Sequence, residues 1–434
     1  MNLKQIARKF KKSDPSNLLK NTIWTILGLG LRIIIKAAYF IIIARLLGVQ
    51  GYGAFVGIVS LVAVLSPIAS LGSGNLLIKH IARDKQALST SWGNALVVNL
   101  IMGTLLGGII IGLAHTIFPE TIPLTLIIYI VVSDLLFSSV LELSSQVFQG
   151  DKKMGWTAQL NVNLSLIRLA AALLLGYYYI NPSPQQWGLF YFISSFLSAT
   201  IGVTAVTYYY GYPQVSFRQI RRDLKEGAMF SFGSLAESSN SELDKTMLSN
   251  LASLQATGIY ATACRLVDVV NVPIFSLVKA SYSDFFQKGE HGINHVMQYA
   301  KKLIPVSLAY AAIAGIAMFL CAPILPMILG SEFSKAEDAV KWLAIIPILK
   351  TLNYFLTNVL TCTDHQKLRT FLQCIAMILN VILNYFLIVR YSWNGAAYSS
   401  IITNAFLSVS AYVVILYLAK RERLEKVNAW SQYP

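Results

Sequence analysis

The residues with the most chemistry to offer are charged residues in places that should be apolar. Arg32, Lys36, Arg168, Lys245, Arg265, Lys279 and Lys350 all fall inside long apolar stretches. So do the carboxylates Asp134, Glu142, Glu237, Glu242, Asp244 and Asp268. Each charge at mid-membrane costs about 2.5–3.5 kcal/mol on the lenient insertion scale, so seven unpaired cations would cost on the order of 20 kcal/mol. These groups must pair, snorkel to an interface or line a wet cavity.

Spacing sorts them. Arg32 and Lys36 are four apart and share one helical face with no acid in the same stretch. Like charges so placed repel unless an anion sits between them. Arg265 and Asp268 are three apart and can satisfy each other, as can Glu242 and Lys245. Lys279 lies near the face of Arg265 towards a helix end, where it can also snorkel. Glu237 and Asp244 are seven apart on a shared face. The candidate substrate-binding set is Arg32, Lys36, Arg168, Asp244, Lys245, Arg265 and Lys279. Guanidinium and ammonium groups in a low-dielectric cleft suit a diphosphate or acidic sugar. The candidate ion-coupling set is Asp134, Glu237 and Asp268, because burial moves carboxylates towards working pH. Structural pairing competes with function for every one of them.

The elements that must position these groups are membrane spans. The 434-residue chain is 55% hydrophobic and 13% charged, with a net charge of +15. Soluble domains carry about 25% charged residues, so the solvent is lipid. About twelve stretches reach the roughly 20 apolar residues of a span, among them 21–47, 52–78, 227–252, 256–283 and 337–361. The first is too long for a signal-peptide core and has no cleavage site. Lys and Arg crowd the segments on one side, and the other side carries Arg45, Lys335, Lys341 and Arg390. This asymmetry satisfies the positive-inside rule with both termini cytoplasmic. It also accounts for the net charge without nucleic acid. Tyr177–Tyr179 and Tyr208–Tyr212 mark span ends as an aromatic belt.

Two halves are legible. Gly53-Ala54-Phe55 resembles Gly258-Ile259-Tyr260 at an offset of 205, and Asp151 matches Asp364 at 213. An offset of six spans keeps both halves the same way up. The expectation is an all-α polytopic membrane protein of about twelve transmembrane helices, in two six-helix bundles related by a pseudo-two-fold along the membrane normal. Its parts are a basic N-terminal segment 1–20, bundles 21–211 and 227–419, a cytoplasmic linker 212–226 and a tail 420–434. Pro67 and Pro273 interrupt corresponding spans and are the candidate hinges, with packing kinks as the alternative. Cys264, Cys321, Cys362 and Cys374 form no CxxC pair, and the five histidines have no metal-ligand spacing. His291 and His295 are four apart in a polar loop, with no nearby Cys to complete a metal-ligand set. No catalytic, metal or cofactor site is expected.

The run Ala44-Arg45-Leu46-Leu47-Gly48-Val49-Gln50-Gly51-Tyr52-Gly53-Ala54-Phe55 resembles the opening signature of Wzx-type polysaccharide flippases. Leu71-Gly72-Ser73-Gly74, Asp244-Lys245, Gly258-Ile259-Tyr260, Leu329-Gly330-Ser331-Glu332-Phe333 and Asn394-Gly395-Ala396-Ala397-Tyr398 are similar to its later landmarks. The resemblance covers nearly the whole chain. It implies a member of the multidrug/oligosaccharidyl-lipid/polysaccharide exporter superfamily in the bacterial cytoplasmic membrane. Its substrate would be an undecaprenyl-diphosphate-linked oligosaccharide, flipped by alternating access for O-antigen, capsule or a similar polymer. Its partners would be membrane lipid and other polysaccharide-assembly membrane proteins. The family's cleft is lined by spans one, two, seven and eight, which hold Arg32, Lys36, Asp244, Lys245 and Arg265. A multidrug exporter of the same superfamily would instead use acids to bind cationic drugs. A membrane polymerase or glycosyltransferase would need a large outer loop or an acidic pair at the surface; no outer loop is large enough, and no nucleophile–base arrangement stands out.

Overall fold

The structure is a computed structural model. It describes residues 15–430 apart from 291, and side chains from 30 to 424 apart from 32, 283, 291 and 423. Most of the basic segment 1–20, the side chain of Arg32, and His291 therefore lie outside the described residues. Among the described residues every regular element is helical. Two compact units emerge: unit 1 is Met1–Leu47 with Leu65–Phe232, and unit 2 is Gly48–Val64 with Gly233–Pro434.

Unit 1 contains most of α1 (Pro15–Ser70), with α2 (Ser73–Arg83), α3 (Leu88–Gly112), α4 (Leu124–Gly150), α5 (Met154–Tyr178) and α6 (Pro184–Tyr210). Helix α6 shows why these segments are helices in lipid. Ser183 and Gln186 form a reciprocal capping box, with Pro184 at the first helical position. This satisfies orphan donors at the helix start and pre-sets φ. The small and polar residues Gly188, Ser194, Ser195, Ser198 and Gly202 face inward, while Leu189, Ile193, Phe196 and Leu197 are exposed. A soluble helix would present the reverse. Small residues let helix backbones approach where hydrophobicity supplies no drive between helices.

Unit 2 contains α7 from Gly233 onward (α7 is Phe217–Leu251), α8 (Leu254–Ala280), α9 (Tyr282–Gly289), α10 (Ile293–Cys321), α11 (Ser334–Leu343), α12 (Ile346–Cys362), α13 (Gln366–Tyr391) and α14 (Trp393–Trp430). Its apolar core gathers Val278, Phe285, Val296, Phe355, Val359 and Ile415. The boundary at Phe232/Gly233 falls within α7, and Gly48–Val64 joins unit 2. The compact units thus differ from the sequence halves at both places.

Nine helices among the described residues are long and apolar enough to cross a membrane, and the pair α11 and α12, bent by 47°, makes ten. The expected twelve exceed this at two identifiable points. Spans one and two run together as Ile33–Ser70, 38 residues, about 57 Å at 1.5 Å per residue and nearly two hydrocarbon thicknesses. Gly48 breaks this run with φ 65°, ψ 176°. Span seven corresponds to α7, whose Glu237, Glu242, Asp244 and Lys245 make it too polar to qualify by composition.

The two halves share a loop. Lys153 N donates to Phe148 O at 2.8 Å, and His365 N donates to Leu360 O at 2.9 Å. Lys152 and Asp364 take left-handed φ of 62° and 60° just before these donors. Both are six-to-one closures of a helix C-terminus. The backbone match pairs Lys152 with Asp364, an offset of 212, one residue from the Asp-to-Asp match of the sequence.

Candidate functional site

Unit 2 holds the denser charge cluster. On α7, Lys245 Nζ lies 2.7 Å from Glu242 Oε2 and donates to Ser241 O at 3.1 Å. The neighbouring Asp244 is 3% exposed. Its Oδ1 accepts the Lys245 backbone N–H at 2.8 Å, and its Oδ2 accepts the Tyr260 hydroxyl and the Ser400 hydroxyl. Three elements (α7, α8 and α14) thus close around one carboxylate. On α8, Asp268 Oδ1 lies 3.6 Å from Lys350 Nζ of α12. Arg265 hydrogen-bonds the Tyr52 hydroxyl and is within electrostatic reach of Asp268 and Glu242. It is exposed, and among the described residues no carboxylate lies within ion-pair distance of it. The expected Arg265–Asp268 pair therefore does not form: three-residue spacing puts both on one face, but each reaches a different element.

The segment Gly48–Val64 brings Tyr52 to this cluster. At Gly48 the helix breaks, and the N–H of buried Val49 donates instead to Glu332 Oε2 at 3.2 Å. Ser60 Oγ donates to Glu242 Oε2 at 3.2 Å, and Thr246 Oγ1 donates to Gly57 O at 3.0 Å. Between these, Gly53 and Gly258 make the crossing possible. A Cβ on Gly53 would overlap the Leu254 carbonyl, and one on Gly258 would overlap the Val49 carbonyl. Residues 49 and 53 relate to 254 and 258 by the same 205-residue offset read from the sequence. The crossing is a local two-fold in which each helix offers its partner one glycine and one carbonyl.

Unit 1 has a smaller, closed network. Arg168 Nη2 reaches Asp134 Oδ1 at 3.1 Å, Ser138 Oγ at 3.0 Å and Ser195 Oγ at 3.1 Å. Tyr191 OH lies 2.9 and 3.0 Å from the two Asp134 oxygens, and its ring lies 4.1 Å from the guanidinium. Asp134 stands on a π-helical turn, Ser133–Ser138, within α4. The extra residue in that turn loosens the backbone ladder. Ser139 Oγ takes up the Asp134 carbonyl at 3.0 Å.

The expected residues thus fall into separate groups. Asp244, Lys245, Arg265 and Asp268 come together in unit 2, and Arg168 joins Asp134 in unit 1. Glu237 does not join Asp244; it lies 3.5 Å from Arg369. Lys279 is exposed and sits 4.5 Å from the centroid of the Phe275 ring. Lys36 is exposed on α1. Pro67 and Pro273 lie inside helices, and the break after the first comes at Leu71-Gly72, both with positive φ. Sequence reasoning missed Tyr52, Tyr260, Ser400 and Glu332, whose partners are distant in the chain. The landmark runs containing Tyr52, Tyr260 and Glu332 were the available signal.

A model of the family described as "Polysaccharide biosynthesis protein" matches residues 18–283. Among solved structures, the chain is similar to a multidrug resistance MATE family transporter of the MOP superfamily in its inward-facing conformation. The TM-score is 0.72 at 14% identity, over 91% of this chain and 99% of that one. An outward-facing conformation of such a transporter gives 0.64 at 14% identity, over 94% and 98%. A MOP superfamily transporter from Pyrococcus furiosus, described by the reverse polarity of its binding pocket, gives 0.64 at 13% identity, over 93% and 96%. A comparison with curated proteins finds no match. At such identities the solved structures establish the fold: two helical bundles of the MOP transporter type.

Proposed function

The chain belongs to the polysaccharide biosynthesis protein family, and on that premise we propose that it is a flippase for undecaprenyl-diphosphate-linked oligosaccharide repeat units. It carries them from the cytoplasmic to the outer leaflet of a bacterial cytoplasmic membrane by alternating access, with both its termini cytoplasmic. The observation that carries this reading is Arg265: an exposed arginine inside a charge cluster, its guanidinium held by a neutral tyrosine and ion-paired with no carboxylate among the described residues. Its planar fork suits a diphosphate. Lys350, 3.6 Å from a half-exposed Asp268, is a second cation that an incoming anion can recruit, since such an open pair is worth at most about 1 kcal/mol. Arg32, Lys36 and Lys279 extend the cationic set on the first and eighth spans. Pro67 and Pro273 serve as hinges. Asp134, Glu237 and Asp268 are the carboxylates that would carry a coupling ion.

The second reading is a multidrug exporter. It is favoured by the MATE fold likeness and by the exposed carboxylates Glu237 and Asp268, 58% and 47% accessible. The two are separated by following lipid-linked oligosaccharide in a strain lacking the protein, with a membrane-impermeant sugar probe on intact and opened spheroplasts. Trapping on the cytoplasmic leaflet, reversed by the wild-type gene but not by Arg265→Ala, is the expected result. Normal outer-leaflet delivery with new sensitivity to cationic drugs would replace it by the multidrug reading.

A further inference from the structure

Helix α7 begins before the expected seventh span, and its first turns carry two unlike faces. One face is tied to unit 1. Gln219 Nε2 lies 3.3 Å from His80 Nδ1, Asp223 Oδ2 lies 3.6 Å from His80 Nε2, and Glu226 pairs with Lys79. Just upstream, Gln214 N donates to Ser89 O at 3.0 Å and Ser216 N to Asn94 Oδ1 at 2.7 Å. At the far end Gly227 and Gly72 touch backbone to backbone, so that a Cβ on Gly227 would overlap the Leu71 carbonyl. These bonds fix the rotation of the helix about its own axis.

The opposite face is therefore held in one direction, and it is basic. Arg218, Arg221, Arg222 and Lys225 follow the i, i+3, i+4, i+7 pattern and fall within an arc of about 100°. All four are exposed. Arg222 reaches Asp223 at 3.5 Å; Arg218, Arg221 and Lys225 have no ion-pair partner among the described residues. One turn further the same face becomes apolar and stays exposed, at Met229 (66%) and Phe232 (60%). Tyr212 and Phe217, 82% and 73% exposed, stand at its start. The positive-inside rule asks only for a number of cations on one side. It does not ask that they share one face, or that the face turn apolar within one turn of its last lysine. From Arg218 to Lys225 the helix rises about 10 Å, comparable with a headgroup layer.

We propose that this face of α7 binds anionic phospholipid headgroups of the adjacent leaflet. Arg218, Arg221, Arg222 and Lys225 take the phosphates, and Met229 and Phe232 lie against the acyl chains. The proposal stands independently of the transport reading. Each basic residue near an anionic surface contributes about a fivefold gain in affinity. Removing all four should therefore weaken anionic-lipid binding roughly a hundredfold or more.

The test uses the purified full chain and counts retained lipid by native mass spectrometry, alongside thermal unfolding with phosphatidylglycerol or phosphatidylcholine. Wild-type protein should retain and be protected by phosphatidylglycerol preferentially. Arg218→Gln/Arg221→Gln/Arg222→Gln/Lys225→Gln should lose that preference. If the fourfold variant does not fold, Arg221→Gln/Lys225→Gln should lose most of it. Lys301→Gln/Lys302→Gln, which removes two exposed lysines elsewhere, should keep it. Equal retention of both lipids by wild type, or equal loss in the lysine control, overturns the proposal. So does displacement of phosphatidylglycerol by undecaprenyl diphosphate at a tenfold lower concentration, which would make the face a docking site for the carrier lipid.

Discussion

Unit 1 and unit 2 each hold ionisable groups inside their helices, and they hold them in opposite ways. Around Arg168, one carboxylate and two serines converge on a single guanidinium nitrogen, and a tyrosine hydroxyl bonds the same carboxylate. Both charges are mostly covered, at 19% and 16% side-chain exposure. In unit 2, three cations and three acids spread over α7, α8 and α12. Lys245 and Asp244 are covered, while Arg265 and Asp268 stay open. A closed network uses its charges on itself. Breaking it leaves a covered charge uncompensated, which is costly. An open cluster has weak internal pairs that a ligand can replace at little cost. An intramembrane charge is therefore a functional candidate less because it is charged than because its partners leave it available.

That contrast can be broken in several ways, beginning with the largest effect. Arg168→Ala should destabilise unit 1 by about 3–5 kcal/mol, because Asp134 is left covered and unpaired. The loss should appear as a lower thermal midpoint in detergent, and Asp134→Asn in the same chain should recover much of it. A wild-type midpoint for Arg168→Ala would mean that this network is not structural. Arg265→Ala should do the reverse. Its stability cost should stay under about 1 kcal/mol, as for other exposed sites, while export of lipid-linked oligosaccharide falls at least tenfold.

Asp151 provides a closed network outside the spans, and it tests whether closure matters without lipid. It is bonded to Lys85, Lys153 and Tyr210. Burial pushes its carboxyl up, but the hydrogen bonds from Lys85, Tyr210 and Lys153 outweigh this and hold it below the usual carboxylate range. A lowered folded-state value means that the stabilisation is complete above the unfolded value, about 3.9, and disappears as pH falls through the folded one. Asp151→Asn should thus cost about 1–3 kcal/mol at every pH from 8 to 5, with the gap to wild type closing only below about pH 4. A gap that closes at neutral pH would rule out the carboxylate as the source. The smallest effect belongs to the open pair: a double-mutant cycle between Asp268→Asn and Lys350→Gln should give a stability coupling of at most about 1 kcal/mol. A larger value would move that pair into the closed class.

Local periodicity carried much of this into the sequence. The Glu242–Lys245 pair and the 205-residue repeat each rest on a spacing that the sequence carries by itself. The all-helical class and the two bundles followed from the same signals. The twelve spans read from the sequence and the nine or ten helices that qualify by length and composition among the described residues part at two places: at Gly48, where two spans join without a polar loop, and in α7, whose charges lower its mean hydropathy.

The sequence by itself determined which residues are charged, which stretches need lipid and which helical faces they occupy, because those properties depend on neighbours within a turn or two. Only the tertiary structure decided whom each charge meets. Arg265 and Asp268 share a face yet turn to Tyr52 and Lys350, Asp244 is closed by Tyr260 and Ser400 from two other helices, and Val49 is capped by Glu332 from far along the chain. Side-chain partners across helices depend on crossing points such as Gly53 against Gly258, and a crossing is set by the packing of whole surfaces.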